Sequence, residues 1–500
     1  MQRSLRFPWV HCSHRTLVFC AALGSSMVGA CSIGPHYTPP GAPDVRAFKE
    51  ASPALYHGAD AGAWRPAQPQ DAAVKGKWWQ MFQDPELDAL EDRLNIDNQN
   101  IARYFQNFMA ARAQVRGARA GYFPVVTAAP AFTRSRSGAA SGRTDAGTGG
   151  ATTSNLASLP LDVSWAPDVW DRVRNTVRAF AYAAQVSAAD LENERLTEQA
   201  SLATYYFALR GQDALQDLYD RTVANDRQAL QFAQAQAHTG LGNDEAVAQA
   251  EVTLENAQAT GIGIAANRAV YEHAIATLIG TPASSFSMPV RSLAGHAPSI
   301  PVSVPSQLLQ RRPDIAGAER AMAQANALIG VERAAYYPNL ALAGGAGFSA
   351  PAIARLLTLP AFFWSLGASA TQTIFDGGLR DATVSQYTAS YMADVAVYRQ
   401  TVLTAIAQVE DALATLRVLS QQRGRQEAAA QWAQKYLDIA RRRYETGLDP
   451  YLDVLLAQTL LLGDEQTVIT LRVSEMTAAT QLIQALGGGW EATQLPGNDP

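Results

Sequence analysis

The chain has 500 residues, 48 % hydrophobic and 17 % charged, with a formal net charge of −5. That balance does not supply the basic patch a nucleic-acid partner would need. The three cysteines, Cys12, Cys20 and Cys31, crowd the N-terminus and leave the body without a disulfide framework or thiolate cluster.

Arg3, Arg6 and Arg15 precede an apolar run from Leu17 to Ala30, the layout of an export signal. The run is shorter than the ~20 apolar residues of a spanning helix and is broken by glycine and serine. It ends Val28-Gly29-Ala30-Cys31, which resembles a bacterial lipobox, with cleavage before Cys31 and acyl chains on that residue. An ordinary signal peptide that happens to contain a cysteine is the plainer alternative. In that resemblance Ser32, rather than aspartate, points to the outer membrane. Residues 31–77 are rich in Pro, Gly and Ala without helical period and read as an extended tether.

Asp84-Pro85 pairs an N-cap with a first-turn proline, and the helix it opens is expected to run to about Arg119. Trp78, Trp79 and Phe82 ahead of it read as packing residues. Three landmarks then recur in order. Arg119-Ala120-Gly121-Tyr122-Phe123-Pro124 is answered by Arg333-Ala334-Ala335-Tyr336-Tyr337-Pro338, His238-Thr239-Gly240-Leu241 by Glu445-Thr446-Gly447-Leu448, and Thr277-Leu278-Ile279-Gly280 by Gln484-Ala485-Leu486-Gly487. The pattern reads as a tandem duplication, each half being helix, strand, loop, strand and a long helical hairpin.

The outgoing strands alternate with period two: Leu159, Leu161, Val163 and Trp165 in one half, Trp364, Leu366, Ala368 and Ala370 in the other. The incoming strands, Tyr122 to Phe132 and Asn339 to Phe348, are weaker, and Gly344, Gly345 and Gly347 read as strand glycines. Arg134 to Ser158 reads as a flexible exposed loop, and Ala350 to Pro360 as a shorter link. From Asp376 to Gly487 the chain reads as two long helices joined by a turn within Arg441 to Asp453. One arm carries Tyr391, Val395, Tyr398, Val402, Ala405, Val409, Ala412, Leu416 and Leu419 in a heptad rhythm. On the other arm the seam is Leu452, Leu455, Thr459, Leu462, Gln466, Ile469, Val473, Met476, Thr480 and Ile483. Such arms are on the order of 60 to 100 Å long, more than a compact domain needs. The strands approach the ~9–11 residues of a membrane β-strand. Open edges in lipid cost several kcal/mol per unpaired group, so membrane strands here require several chains to share one barrel. A soluble helical protein capped by two amphipathic β-hairpins is the alternative.

Trp78-Trp79-x-x-Phe82-x-Asp84-Pro85-x-Leu87, Arg311-Arg312-Pro313-Asp314-Ile315, Tyr337-Pro338, Phe375-Asp376-Gly377-Gly378 and Arg443-Tyr444-x-x-Gly447-x-x-x-x-Leu452-Asp453-Val454-Leu455 stand in that order. Together they resemble the outer-membrane lipoprotein subunit of tripartite RND-type efflux pumps, the TolC-like channel family, over essentially the whole mature chain. The resemblance implies a mostly α fold with membrane β: a homotrimer with a 12-stranded β-barrel, four strands per chain, continued by a long α-helical barrel. It implies an equatorial belt from the segment through about Arg119 and the linker Pro282 to Ile315. On this reading residues 1–30 are the signal, 31–77 the lipidated tether, 78–300 and 301–490 the two repeats, and 491–500 a tail.

The implied partners are a periplasmic adaptor, an inner-membrane RND transporter and outer-membrane lipid, with no cofactor beyond lipid on Cys31. No nucleic acid is implied. By the same resemblance Tyr444 and Asp453 fall on the periplasmic gate, with Leu456, Asp449 and Arg443 beside them. Leu456 stands where many relatives carry a second acidic residue. Asp453 can equally serve as an acidic first-turn residue of a helix. The turns Thr239-Gly240-Leu241 and Thr446-Gly447-Leu448 are expected at the adaptor-contacting tip. No catalytic constellation or phosphate loop is present, and His36, His57, His238, His273 and His296 lack ligand spacing. The function implied is an efflux exit duct for drugs or other small toxic compounds. Its rivals are a channel for type I protein secretion and a non-pore periplasmic coiled-coil scaffold.

Overall fold

The computed structural model describes residues 33–41, 47–50, 76–137, 152–240, 242–293, 295–298, 300, 311–490 and 495. Two short helices, α1 (Pro85–Asp97) and α2 (Gln99–Arg119), lead into strands β1 (Val125–Ala128), β2 (Ala131–Ser137) and β3 (Thr152–Trp165). A long hairpin follows, α3 (Arg172–His238) and α4 (Asp244–Leu278). Then α5 (Pro313–Ala334), β4 (Asn339–Ala350) and β5 (Phe362–Thr371) precede a second hairpin, α6 (Leu379–Glu445) and α7 (Tyr451–Ala485). Both hairpins pair a 67-residue arm with a 35-residue arm. At ~1.5 Å per residue the long arms span about 100 Å.

The single helix expected from Asp84 to Arg119 is two. Asp84 caps α1 as anticipated, accepting from Glu86 N and Leu87 N. Asn98 then leaves helical geometry at ψ 124°. Its N–H closes α1 on the Leu94 carbonyl, its Oδ1 accepts from Ile101 N at 2.9 Å, and its Nδ2 donates to the Leu278 carbonyl at 2.8 Å. One asparagine therefore ends one helix and caps the next.

The strands form one antiparallel sheet in the order β1–β3–β4–β5, with β2 also on β3. β1 and β2 keep one register against β3, from Val125↔Ser164 to Ser137↔Thr152. The run breaks at Ala129-Pro130, opposite Pro160. Ala129 N reaches the Pro160 carbonyl at only 3.4 Å, and neither proline has an N–H to give the ladder. The sheet thus has four runs of strand. β2 and the first part of β3 occupy ends of the expected Arg134–Ser158 loop, and residues 138–151 of that stretch lie outside the described residues.

The main core lies midway along the long arms. Trp78, Leu87, Leu94, Leu202, Tyr206, Leu209, Ile275, Ile315, Met322 and Leu413 are fully buried there. Trp78 Nε1 donates to Gln199 Oε1 at 3.1 Å and Tyr206 Oη to Asp84 Oδ2 at 2.5 Å, so the aromatic motif is a packing element, as its composition suggested. Arg312 forks onto Asp314 at 3.0 and 2.6 Å and donates to the Ala485 carbonyl at 2.9 Å. It thereby satisfies an orphan carbonyl at the end of α7. Gly487, at φ 93°, lies where a Cβ would strike the Arg311 carbonyl. These contacts give the Arg-Arg-Pro-Asp and Leu-Gly landmarks a joint structural role.

Residues 33–41 and 47–50 lie against the helices instead of running free. Tyr37 Oη donates to Glu319 Oε1 at 2.6 Å, and the backbone N–H groups of Lys49 and Glu50 donate to the Glu410 carboxylate at 2.7 and 2.9 Å.

Glu91 is fully buried in α1, and neither carboxyl oxygen has a partner. Burial, with Asp92 and Asp88 nearby, pushes its pKa well up. The folded state therefore favours the protonated acid, and stability falls as pH rises from the unfolded carboxylate range toward the folded pKa. Glu91→Gln is expected to raise stability at pH 7 by about 1–3 kcal/mol. Thermal melts at pH 7 and pH 5 check this: the gain should shrink at the lower pH.

Candidate functional site

Two ends of the molecule carry the features of a conduit. At one end the register sorts the sheet into two faces. Val126, Ala128, Leu159, Leu161, Val163, Trp165, Leu342, Phe348, Phe362, Trp364 and Leu366 share one face. Thr127, Ser158, Asp162, Ser164, Gly345, Gly347, Ser365, Gly367 and Ser369 share the other, where Val125, Leu156 and Phe363 are apolar exceptions. Phe132 continues the apolar face, and Arg134 and Arg136 take the same face beyond it. The outer edges of β1–β2 and β5 have no strand partner among the described residues, and all ten residues of β5 are exposed. An apolar face with unpaired edges is unstable alone in lipid. Aromatics collect where strands meet helices: Trp170 stacks on Tyr337 at 4.9 Å and donates to the Pro338 carbonyl at 2.8 Å, while Trp165 donates to the Tyr122 carbonyl at 3.0 Å. This placement resembles the aromatic girdle of a membrane barrel.

At the other end the two hairpin turns are built alike. Thr239 and Thr446 each return their hydroxyl to carbonyls three and four residues back. Gly240 and Gly447 follow with φ of 76° and 74°, the left-handed geometry of a helix C-terminus. A Cβ on either would meet open space, and Thr446, Gly447 and Leu448 are exposed. Leu241 lies outside the described residues, as does Cys31.

The five residues expected at the gate separate into four environments. Tyr444 joins the hairpins: its Oη donates to Gln236 Oε1 on α3 at 2.7 Å, and its ring lies 5.7 Å from Phe232 and 5.4 Å from Tyr451. Arg443 is bound to Asp449 inside its own turn, Nη2 to Oδ1 at 2.8 Å, and that ion pair holds the Asp449 carboxyl below the usual range. Asp453 is a half-exposed first-turn residue of α7, its N–H on the Pro450 carbonyl. Leu456 is exposed and not packed within its own chain.

The seam expected on α7 is displaced at this end. Tyr451, Val454, Ala457 and Leu461 are the buried positions, with Ala433, Leu437 and Ala440 of α6 and Ala233 and Ala250 of the first hairpin. Leu452, Leu456 and Leu460 instead form an exposed stripe. The upper half agrees, with Met476, Thr480 and Ile483 buried, as does α6 from Val395 to Ala412. α7 carries apolar residues on more than one face near the tip, so heptad spacing alone could not select the intrachain one.

Sequence reasoning missed Asp226. It is buried on α3 with one carboxyl oxygen unpartnered, beside a cavity of about 370 Å³ shared with Arg441 of α6 and Gln458 of α7. Burial pushes its pKa up to about 6, partly offset by Arg441. Its only sequence signal is an acidic residue on a helix whose buried face had not been identified. Among the described residues no group of three or more His, Cys, Asp or Glu could hold a metal, and no helix is long and apolar enough to cross a membrane.

The family model described as outer membrane efflux protein matches residues 92–281 and 304–488. The chain belongs to that family. It is 30 % identical over 472 residues to the toluene efflux pump outer membrane protein TtgC of Pseudomonas putida, covering 94 % of this chain and 95 % of that one. It is 27 % identical over 488 residues to the cation efflux system protein CusC of Escherichia coli, covering 95 % and 99 %. Among solved structures it resembles the outer-membrane channel OprN, with a TM-score of 0.82 and 26 % identity over 92 % of this chain and 100 % of that one. Family membership thus rests on two matched stretches that together cover most of the chain and on nearly full-length similarity.

Proposed function

We propose that this chain is the outer-membrane exit duct of a tripartite RND-type efflux pump, a conduit without catalytic activity of its own. Three copies closing edge to edge would form a barrel of twelve strands, within the range of known barrels. One observation carries the reading: a four-run sheet with one apolar face and two open edges continues directly into two hairpins with arms of about 100 Å. Closure by β5 of one chain on β1–β2 of the next would remove the edges. The apolar face then meets lipid, the Ser/Gly/Asp face lines the lumen, and the hairpin tips reach a periplasmic adaptor. The equal arms of the two hairpins support the duplicated plan, with residues 78–300 and 301–490 as its repeats.

Membrane attachment through acylated Cys31 is supported by the tether. Gly34 packs against Gly330 and Asn175, close to the sheet, and the segment Phe48–Glu50 lies farther along α6, at Glu410 and Arg417. This path leads Cys31 toward the membrane end. Named relatives move toluene and cations, so cargo class is assigned to the inner-membrane pump rather than to this wall.

The test is conductance of purified protein in planar bilayers, together with drug and solvent susceptibility of a deletion strain. Ion-conducting trimers and increased susceptibility are expected; absence of pores from correctly folded protein refutes the duct. Asp453→Ala is expected to lower cation selectivity, because three aspartates in a narrow pore concentrate negative charge. Unchanged conductance and reversal potential would leave Asp453 as a first-turn residue only.

A further inference from the structure

Beside the tether, between α3 and α5, lies a hollow of about 250 Å³. His36, Asn175, Arg178, Tyr182 and Asn326 supply its polar wall, and no carboxylate lines it. Asn175 is 3 % exposed, and its Nδ2 has no hydrogen-bond partner. Its Oδ1 accepts a long 3.4 Å bond from Arg178 Nη1, the one hydrogen bond of that guanidinium among the described residues. Asn326 spends its Nδ2 on the Pro35 carbonyl at 2.9 Å. The nearby Glu319 carboxylate is turned to Tyr37 and Arg320. The wall thus offers a buried amide donor set between Gly34 and Gly330, an arginine fork, an imidazole and a phenol. A buried donor without a partner is unfavourable, and this donor set suits a phosphate oxygen.

The location fits the same chemistry. Arg172, Arg174 and Arg178 occupy the first two turns of α3, where the helix dipole disfavours cations. Arg174 is neutralised by Asp171 at 3.1 Å, but Arg178 has no carboxylate partner among the described residues. The hollow begins at Gly34, three residues from Cys31, and Asn175 lies within the first turn of α3, just below the Trp165–Trp170–Tyr337 aromatics. That is headgroup depth in the membrane reading, on which this inference rests.

We propose that this hollow binds the phosphate of an anionic phospholipid headgroup in the periplasmic leaflet, clamped between the tether and α3. A bound headgroup would tie tether, α3 and α5 together at the point where the duct leaves the bilayer.

The test uses full-length, acylated trimers and native mass spectrometry after exposure to phosphatidylglycerol or phosphatidylcholine in matched amounts. Preferential retention of phosphatidylglycerol is expected. Arg178→Gln should reduce it roughly fivefold, the contribution of about one basic residue at an anionic surface, whereas Arg178→Lys should keep most of it. His36→Ala, on the exposed tether, gives a second readout without touching the buried amide. Equal retention of the two lipids, or no loss in Arg178→Gln and His36→Ala alike, overturns the site. Thermal stabilisation by inorganic phosphate alone, without lipid preference, overturns the lipid assignment. Wild-type trimers that conduct in bilayers yet show no lipid preference reject this inference alone, while failure to conduct rejects the duct and leaves the lipid measurement readable.

Discussion

Tyr444→Ala is expected to give a channel that stands open where the wild type is mostly shut. In the described conformation Tyr444 is the point at which the second hairpin holds the first, through Gln236 and Phe232, while its contact with Tyr451 lies within the second hairpin. Removing the ring deletes one aromatic contact and one hydrogen bond between the hairpins. Aromatic pairs contribute about 0.5–1.5 kcal/mol each and the bond about 1 kcal/mol. A combined loss of roughly 2 kcal/mol changes the open-to-closed ratio by about thirtyfold, at ~1.4 kcal/mol per factor of ten. Tyr444→Phe should retain the rings and lose only the bond, shifting the ratio by about fivefold. Open probability in planar bilayers, with both variants beside the wild type, checks the order. An alanine variant as tightly closed as the wild type would remove Tyr444 from the gate. Asp226 adds a pH dependence to the same contact region. With its folded pKa at about 6, the protonated form favours the packed hairpins. That stabilisation is full below the unfolded carboxylate range and is lost as pH rises through 6. The wild type is therefore expected to close more firmly at pH 5 than at pH 7.5, and Asp226→Asn to flatten that dependence.

Gly447→Val is expected to abolish efflux while trimers still assemble. At φ 74° a β-branched residue carries a penalty of about 1–2 kcal/mol, small against a helical hairpin of this length. A Cβ at this position meets nothing of its own chain within 4 Å, so the damage is expected to fall on whatever docks at the tip. Susceptibility should match that of a deletion strain, with trimer yield and melting temperature near wild type. Gly447→Ala should give an intermediate loss. Full resistance in the valine variant would exclude docking through this turn, and loss of trimers would reassign the glycine to folding.

Much of this arrangement was legible along the chain because it depends on local chemistry. Glycine is needed where a helix ends in left-handed geometry, so Gly240, Gly280, Gly447 and Gly487 mark their turns in the sequence. Alternation of Leu159, Leu161, Val163 and Trp165 announces a two-faced strand because successive side chains point to opposite sides. The spans of the long helices follow from their unbroken rhythm. The helix break at Asn98 was not legible in the same way, because asparagine both interrupts and caps, and its choice depends on the Leu278 carbonyl 180 residues away.

The sequence by itself determined the order of elements, the two-faced strands, the placement of the turns and the family to which the chain belongs. Tertiary structure decided which apolar stripe of α7 is buried at the tip, that Tyr444 reaches Gln236, that Arg443 is spent on Asp449, and that Asp226 is buried without a full set of partners. The reason is physical: periodicity reports that a face exists, and side-chain type reports what it can bind. Only packing brings residues 208 positions apart to hydrogen-bonding distance and fixes the dielectric around a carboxylate.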